Sequence, residues 1–275
     1  MSQHTITAEV VVAFALCHRK AHLLLQGTAP KTASELANLL DQRRFANQIR
    51  QGLLPLSPED KININTFGTL TDERILHTLI QADDIEVYCD ILAQDHTEGG
   101  TPFYKPTRII GTYKIEREDV LLLALAAYAL GTLQRHFPTT GTIICFAGKK
   151  HEVQLKKHYE QLKILLTTIR KWLSTPSPDI APVMLNEHCP HCYYEQSCRA
   201  IAETKNDLTL LHRMSLRVAR SYQKKGIFTI EQLSFLFRPR RRKKPAVNRP
   251  AIHRLELQAL AIRSHKIYVH FIPSI

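Results

Sequence analysis

Three cysteines crowd into "HCPHCYYEQSC", residues 188–198, in a C-x2-C-x5-C spacing with histidines at 188 and 191. Thiolates converge on one metal only from a tight turn or a helix end, and C-x2-C is the shortest spacing that commonly does so. Cys189, Cys192 and Cys198 therefore supply three ligands and need a fourth. Cys89 and Cys145 fall in apolar stretches that read as core strands, where a thiol behaves as a small hydrophobe. Cys17 differs, because "HRK" follows it at once. Four thiolates hold a 4Fe-4S cluster or a zinc ion, whereas His188 or His191 would complete a Cys3His zinc site. Unligated thiols are the remaining reading. If Cys17 joins the three, the closed loop is worth on the order of 5 kcal/mol in the chain-entropy model.

Charge is the second chemical signal. The formal net charge is +12, and it is unevenly placed: residues 1–198 hold 20 Lys+Arg against 21 Asp+Glu, while residues 199–275 hold 17 against 4. Such asymmetry is the electrostatic footprint of a polyanion partner, DNA first and RNA as the alternative, with a solubilising tail as the plain reading. The densest run is "RPRRRKK", in which Arg238, Arg240, Arg241, Arg242, Lys243 and Lys244 are candidate phosphate contacts. If about five of them met a duplex, log affinity would fall against log salt with a slope of about −4 to −5.

The elements that must position these residues follow from periodicity. Apolar positions Val10, Phe14, Cys17, Ala21 and Leu24 predict one helix over 7–25 with Cys17 on its buried face. "TASELANLLDQRRFANQIRQ" opens on a capping box, Thr32 and Glu35, and predicts a second helix; "DERILHTLIQA" predicts a third. The period then becomes two: "EVYCDILA" and "FYKPTRIIG" read as a hairpin. "EDVLLLALAAYALGTLQ" is apolar nearly all round and predicts a buried helix. "GTIICFA" and "HEVQL" form a strand pair across a "GKK" turn, and a helix follows from Lys156 to Leu173. Beyond the cysteines come short helices over "DLTLLHRM", "SLRVARSYQKK" and "TIEQLSFLF", the last with a Thr229–Gln232 capping box. "RLELQALAIR" is a further helix, and "KIYVHFI" a strand.

A chain of 275 residues with 44% hydrophobic content can bury a proper core. Its longest apolar run is broken by His18, Arg19 and Lys20, so no membrane span is expected. Six cysteines are few for a disulfide framework, which points to a reducing, cytoplasmic setting. The division expected from charge and pattern is an α/β domain over 1–200 and a basic helical module over 201–275.

An early "C-H-R-K" on the first helix, a hairpin strand carrying an aspartate, and the late C-x2-C-x5-C together resemble the RecB-like PD-(D/E)XK nucleases with an iron-sulfur staple. That group includes the four-cysteine exonucleases of CRISPR adaptation. The resemblance covers about residues 1–240. It implies a restriction-endonuclease-like α/β core, a 4Fe-4S cluster with Cys17 as the distant ligand, and a helix-hairpin-helix-like module over "NDLTLLHRMSLRVARSYQKKGIFTIEQLS". The hairpin turn of that module is placed at "HRMSLR".

The catalytic residues implied by the resemblance are only partly present. Nucleases of this kind carry an aspartate on one strand and Glu-x-Lys on the next, binding Mg or Mn that positions the attacking water. Asp90 matches the aspartate, or it pairs with Lys105 or Arg108 as an ordinary strand residue. Lys105 stands where the acid is expected, and Leu122 and Ala126 stand where an assisting glutamine and tyrosine belong. One carboxylate cannot hold a catalytic metal, so the nuclease site reads as degenerate unless Glu116 or Glu118 supplies a migrated acid. His77 is a candidate for a histidine that some relatives carry on a helix. In the resembled family an RNase H-like nuclease domain commonly follows, so a partner domain or protein could supply the chemistry. The expected function is therefore a DNA-binding, cluster-holding relative of nucleases; the alternatives are an active metal-dependent exonuclease and a zinc-stabilised interaction module.

Overall fold

The structure, a computed structural model, describes residues 5–27, 60–62, 72–146, 148–174, 181–237 and 254–267. The chain divides into two compact units, residues 1–182 and 183–275. The cysteine motif belongs to the second unit, and the boundary expected at residue 200 falls within one of its helices.

The first unit is α/β and is built on a mixed sheet. Its strands are β1 (Ile6–Thr7), β2 (Asp60–Ile62), β3 (Arg74–Ala82), β4 (Ile85–His96), β5 (Pro102–Ile109), β6 (Thr140–Ile144) and β7 (Lys150–Gln154). They lie in the order β2-β3-β4-β5-β6-β7, with β1 pairing β4 in parallel beside the start of that strand. β3, β4 and β5 are successive antiparallel neighbours. The chain then crosses through a helix and returns as β6, parallel to β5, before the β6–β7 hairpin closes the edge. The hairpins expected over β4–β5 and β6–β7 are both present.

Four helices accompany the sheet: α1 (Ala8–Leu16), α2 (His18–Leu25), α3 (Arg117–Gln134) and α4 (Lys156–Ser174). α3 is the helix expected to be buried, and Ala124, Leu125, Ala126, Ala127, Ala129 and Leu130 are all inaccessible or nearly so. Its small residues let it lie close to the sheet. Leu125 and Leu130 join Ile80, Val87 and Leu92 from the strands and Leu162, Leu166 and Ile169 from α4 in one core. Burying each such aliphatic side chain contributes about 1.5–3 kcal/mol. At one margin of this core, Phe14, His18 and His22 surround Trp172, with ring centroids 5.0, 5.9 and 5.9 Å from the indole. The β3–β4 turn is tied to α4 by Arg170, whose Nε and Nη2 donate to the two oxygens of Asp84 at 2.8 and 2.6 Å.

Two expectations for this unit are corrected. The helix expected over 72–82 is strand β3. Apolar residues at 75, 76, 79 and 80 satisfy a helical period as well as an extended one, and eight rungs of pairing with β4 decide the matter. The long helix expected over 7–25 is interrupted at Cys17, whose backbone is extended at φ −159°, ψ 116°. Cys17 is half-buried at a junction between two helices instead of lying on a buried face. The helix expected over 32–51 lies outside the described residues.

The second unit holds α5 (Glu195–Thr204), α6 (Leu216–Gln223), α7 (Ile230–Ser234) and α8 (Arg254–Ser264). Leu208, Leu211, Met214, Ala219, Ile230, Leu233 and Ala259 form its core. Tyr222 of α6 donates to Glu256 of α8 at 2.8 Å. The helix expected at "DLTLLHRM" is only a 3-10 turn over Leu208–Leu210, capped by Asp207. The capping box at α7 is present as expected, with the Thr229 hydroxyl accepting from the Gln232 N–H at 3.1 Å. The turn joining α6 to α7 contains Gly226 at φ +78°. Both the strand expected at "KIYVHFI" beyond residue 267 and the run 238–244 lie outside the described residues. Among those described, no helix is long and apolar enough to cross a membrane.

Candidate functional site

Asp90 is 1% exposed in the middle of β4, and its Oδ2 accepts the backbone N–H of Ile109 at 2.7 Å. The bond falls where β4 changes neighbours, since Ile85 and Glu86 pair β1 while pairing with β5 begins at Ile91. A carboxylate that receives a backbone amide at such a fork fastens two strands as they part. Across β3 the residue facing Asp90 in register is His77, with a left-handed φ of 53°. The inward-facing positions change phase there. Ile80, Ala82, Val87 and Cys89 face the main core on one side of the break, Ile75 and Leu92 on the other. His77 is thus a strand residue, not the helical histidine expected, and its Nδ1 lies 2.7 Å from the Tyr88 hydroxyl.

Lys105 sits opposite Ala93, three residues along β4 from Asp90, and its ammonium pairs with Asp95. That neighbour holds the Asp95 carboxyl below the usual carboxylate range. The register carries Arg108 nearer to Asp90. The Arg108 Nε lies 3.9 Å from Asp119 Oδ1 at the start of α3. Burial pushes the Asp119 carboxyl up, against the lowering effects of the Glu116 N–H and of Arg108. Glu116 caps α3 and receives the Lys114 ammonium at 2.9 Å. Glu116 and Asp119 are therefore occupied in holding a helix end.

Among the described residues, no three His, Cys, Asp or Glu side chains come together in a way that could hold a metal ion. A catalytic Mg or Mn needs several oxygen ligands, and among the described residues no such group includes Asp90. Leu122 is half-buried and Ala126 buried against the core.

The cysteine motif is locally suited to a metal by its backbone. A 3-10 turn over Cys189–His191 places Cys189 and Cys192 three residues apart, and the Cys192 N–H returns to the Cys189 carbonyl at 3.0 Å. The Asn186 N–H donates to the Cys189 sulfur at 3.2 Å, and the Cys189 thiol faces Asn186 Oδ1 at 3.7 Å. Cys198 is on the first turn of α5. All six cysteines are outside disulfides. Cys89 and Cys145 are buried, and burial, followed by Asp90, pushes the Cys89 thiol up to about 12.

A further feature escaped the sequence reading. Arg217, Arg220 and Lys224 follow one another at intervals of three and four residues, which repeats along one side of α6 to its C-cap, and Arg213 precedes the helix. All four, with Lys225, are exposed, while Val218, Ala219 and Tyr222 turn inward from α6. No Asp or Glu occurs between Asp207 and Glu231. Among the described residues, none of the five cations is in an ion pair. The interval pattern was the available signal, overshadowed by the denser run at 238–244.

No family model matches the chain, and no curated protein is significantly similar to it.

Proposed function

We propose that this chain is a nucleic-acid-binding relative of the RecB-like PD-(D/E)XK nucleases whose cleavage site is degenerate. The observation that carries the reading is the acid-free stretch in which Arg213, Arg217, Arg220, Lys224 and Lys225 are all exposed. Exposed cations in an acid-free stretch neutralise a phosphate backbone and carry no base specificity. The run from Arg238 to Lys244 adds charge from the same part of the chain. DNA is the partner favoured by the resemblance, with RNA the alternative.

Nuclease ancestry is supported by the order of elements in the first unit. A helical segment leads into three antiparallel strands, a crossover helix and a parallel strand, with Asp90 on the middle strand. Degeneracy is supported by Lys105 pairing with Asp95 and by Glu116 capping α3. If cleavage accompanies binding in the cell, a second protein or an RNase H-like domain supplies it. The cysteines are the proposed metal site. A 4Fe-4S cluster is what the resemblance implies, with Cys17 as fourth ligand on that ground alone; zinc is the alternative.

Binding measured across a salt series tests the reading. Five phosphate contacts give a slope of about −4.5 in log affinity against log salt, and replacing Arg217 and Arg220 by alanine reduces it by about 2. A chain that binds neither DNA nor RNA overturns the reading and leaves a metal-stabilised interaction module. Cleavage that depends on Mg or Mn and on Asp90 overturns the degenerate site.

A further inference from the structure

The turn between α6 and α7 presents a large apolar side chain three residues after Lys225. Phe228 is 54% exposed, while its neighbours Ile227 and Ile230 are anchored in the core of the second unit. Its backbone is held from both sides. The Phe228 N–H donates to Gln232 Oε1 at 2.7 Å, and the Ile227 N–H returns to the Tyr222 carbonyl at 3.0 Å. Phe228 therefore stands on a turn pinned by the Thr229–Gln232 capping box, with Lys224 and Lys225 exposed just before it.

Comparison with Phe235 sharpens the point. Phe235 is also exposed, but the Arg263 guanidinium lies over its ring at 4.1 Å. No ring or cation among the described residues covers Phe228. Leaving more than half of a phenylalanine in water forgoes part of its burial energy. Its presentation on a pinned turn next to the exposed Lys224 and Lys225 matches a ligand that has both a π-face and a phosphate chain. A paired base in a duplex hides its faces by stacking on its neighbours; an unpaired base offers one.

Resting on the reading of the chain as a nucleic-acid binder, we infer that Phe228 is a stacking platform for an unpaired base, so that single-stranded nucleic acid is the preferred ligand. Arg217, Arg220, Lys224 and Lys225 hold the phosphates beside it. The test uses the full chain, fluorescence anisotropy, labelled oligothymidylate and a blunt duplex at one salt concentration. Phe228→Ala weakens oligothymidylate binding roughly 5- to 100-fold, leaves the duplex within about twofold, and melts with the wild type as an exposed substitution should. Phe228→Trp restores the single-strand affinity. Unchanged oligothymidylate affinity in Phe228→Ala, or an equal loss on both ligands, overturns the platform while the binding reading stands. A wild-type chain that binds neither ligand overturns both.

Discussion

The carboxylate of Asp90 accepts the Ile109 amide at 2.7 Å across the point where β4 and β5 begin to part, so this buried acid acts as a strand fastener. Removing the acceptor strands a buried N–H. Asp90→Ala is expected to cost about 1–3 kcal/mol, and Asp90→Asn markedly less, because its amide oxygen can still accept. Urea denaturation reads the stability, and a cleavage assay with Mg and Mn reads the chemistry. On the reading of a degenerate site, neither variant changes the cleavage readout. Loss of divalent-dependent turnover in Asp90→Asn at unchanged stability would mark a metal ligand instead.

Gly131 separates helix propensity from packing. A Cβ there would lie 2.3 Å from the Phe137 ring, which packs against Tyr128 and Tyr159. Propensity favours Gly131→Ala by about 1 kcal/mol, whereas forcing a packed aromatic aside costs about 1–3 kcal/mol. Net destabilisation is expected in thermal melts. Combining the change with Phe137→Ala should cost less than the sum of the two single changes, since the clash disappears with the ring.

His22 couples the core margin to pH. It is buried, its Nε2 has no hydrogen-bond partner among the described residues, and its pKa is lowered first by burial and then by Arg19. The unfolded chain therefore binds the proton more readily, and stability falls as pH drops below about 6.5. Trp172 is the single tryptophan and touches His22, so its fluorescence follows unfolding directly. His158 shifts in the same direction, by burial and then Lys157. His22→Phe should retain the packing and remove part of the acid-side slope; an unchanged slope would assign it elsewhere.

The thiols divide by accessibility. Cys89 and Cys145 are buried with raised pKa values, so a thiol reagent at mildly alkaline pH should leave both unmodified in the folded chain. Cys17, Cys189, Cys192 and Cys198 should react in metal-free protein and become protected on loading. Anaerobic purification of a cluster-holding chain yields brown protein with about four iron atoms per chain, and Cys198→Ala abolishes them. Colourless protein carrying zinc would replace the cluster by the zinc alternative.

The sequence by itself determined what depends on near neighbours. The buried α3, the β4–β5 and β6–β7 hairpins and the α7 capping box were all legible from short-range pattern. So were the C-x2-C turn and the basic character of residues 199–275. Tertiary structure decided what depends on a distant partner. Residues 74–82 became a strand because β4 offered a paired edge, although their apolar spacing also suits a helix. The register set Lys105 against Ala93, handed it to Asp95, and gave Asp90 to the Ile109 amide. A local pattern limits which periods a segment can adopt; only pairing and burial across the fold select one of them and determine which charges meet.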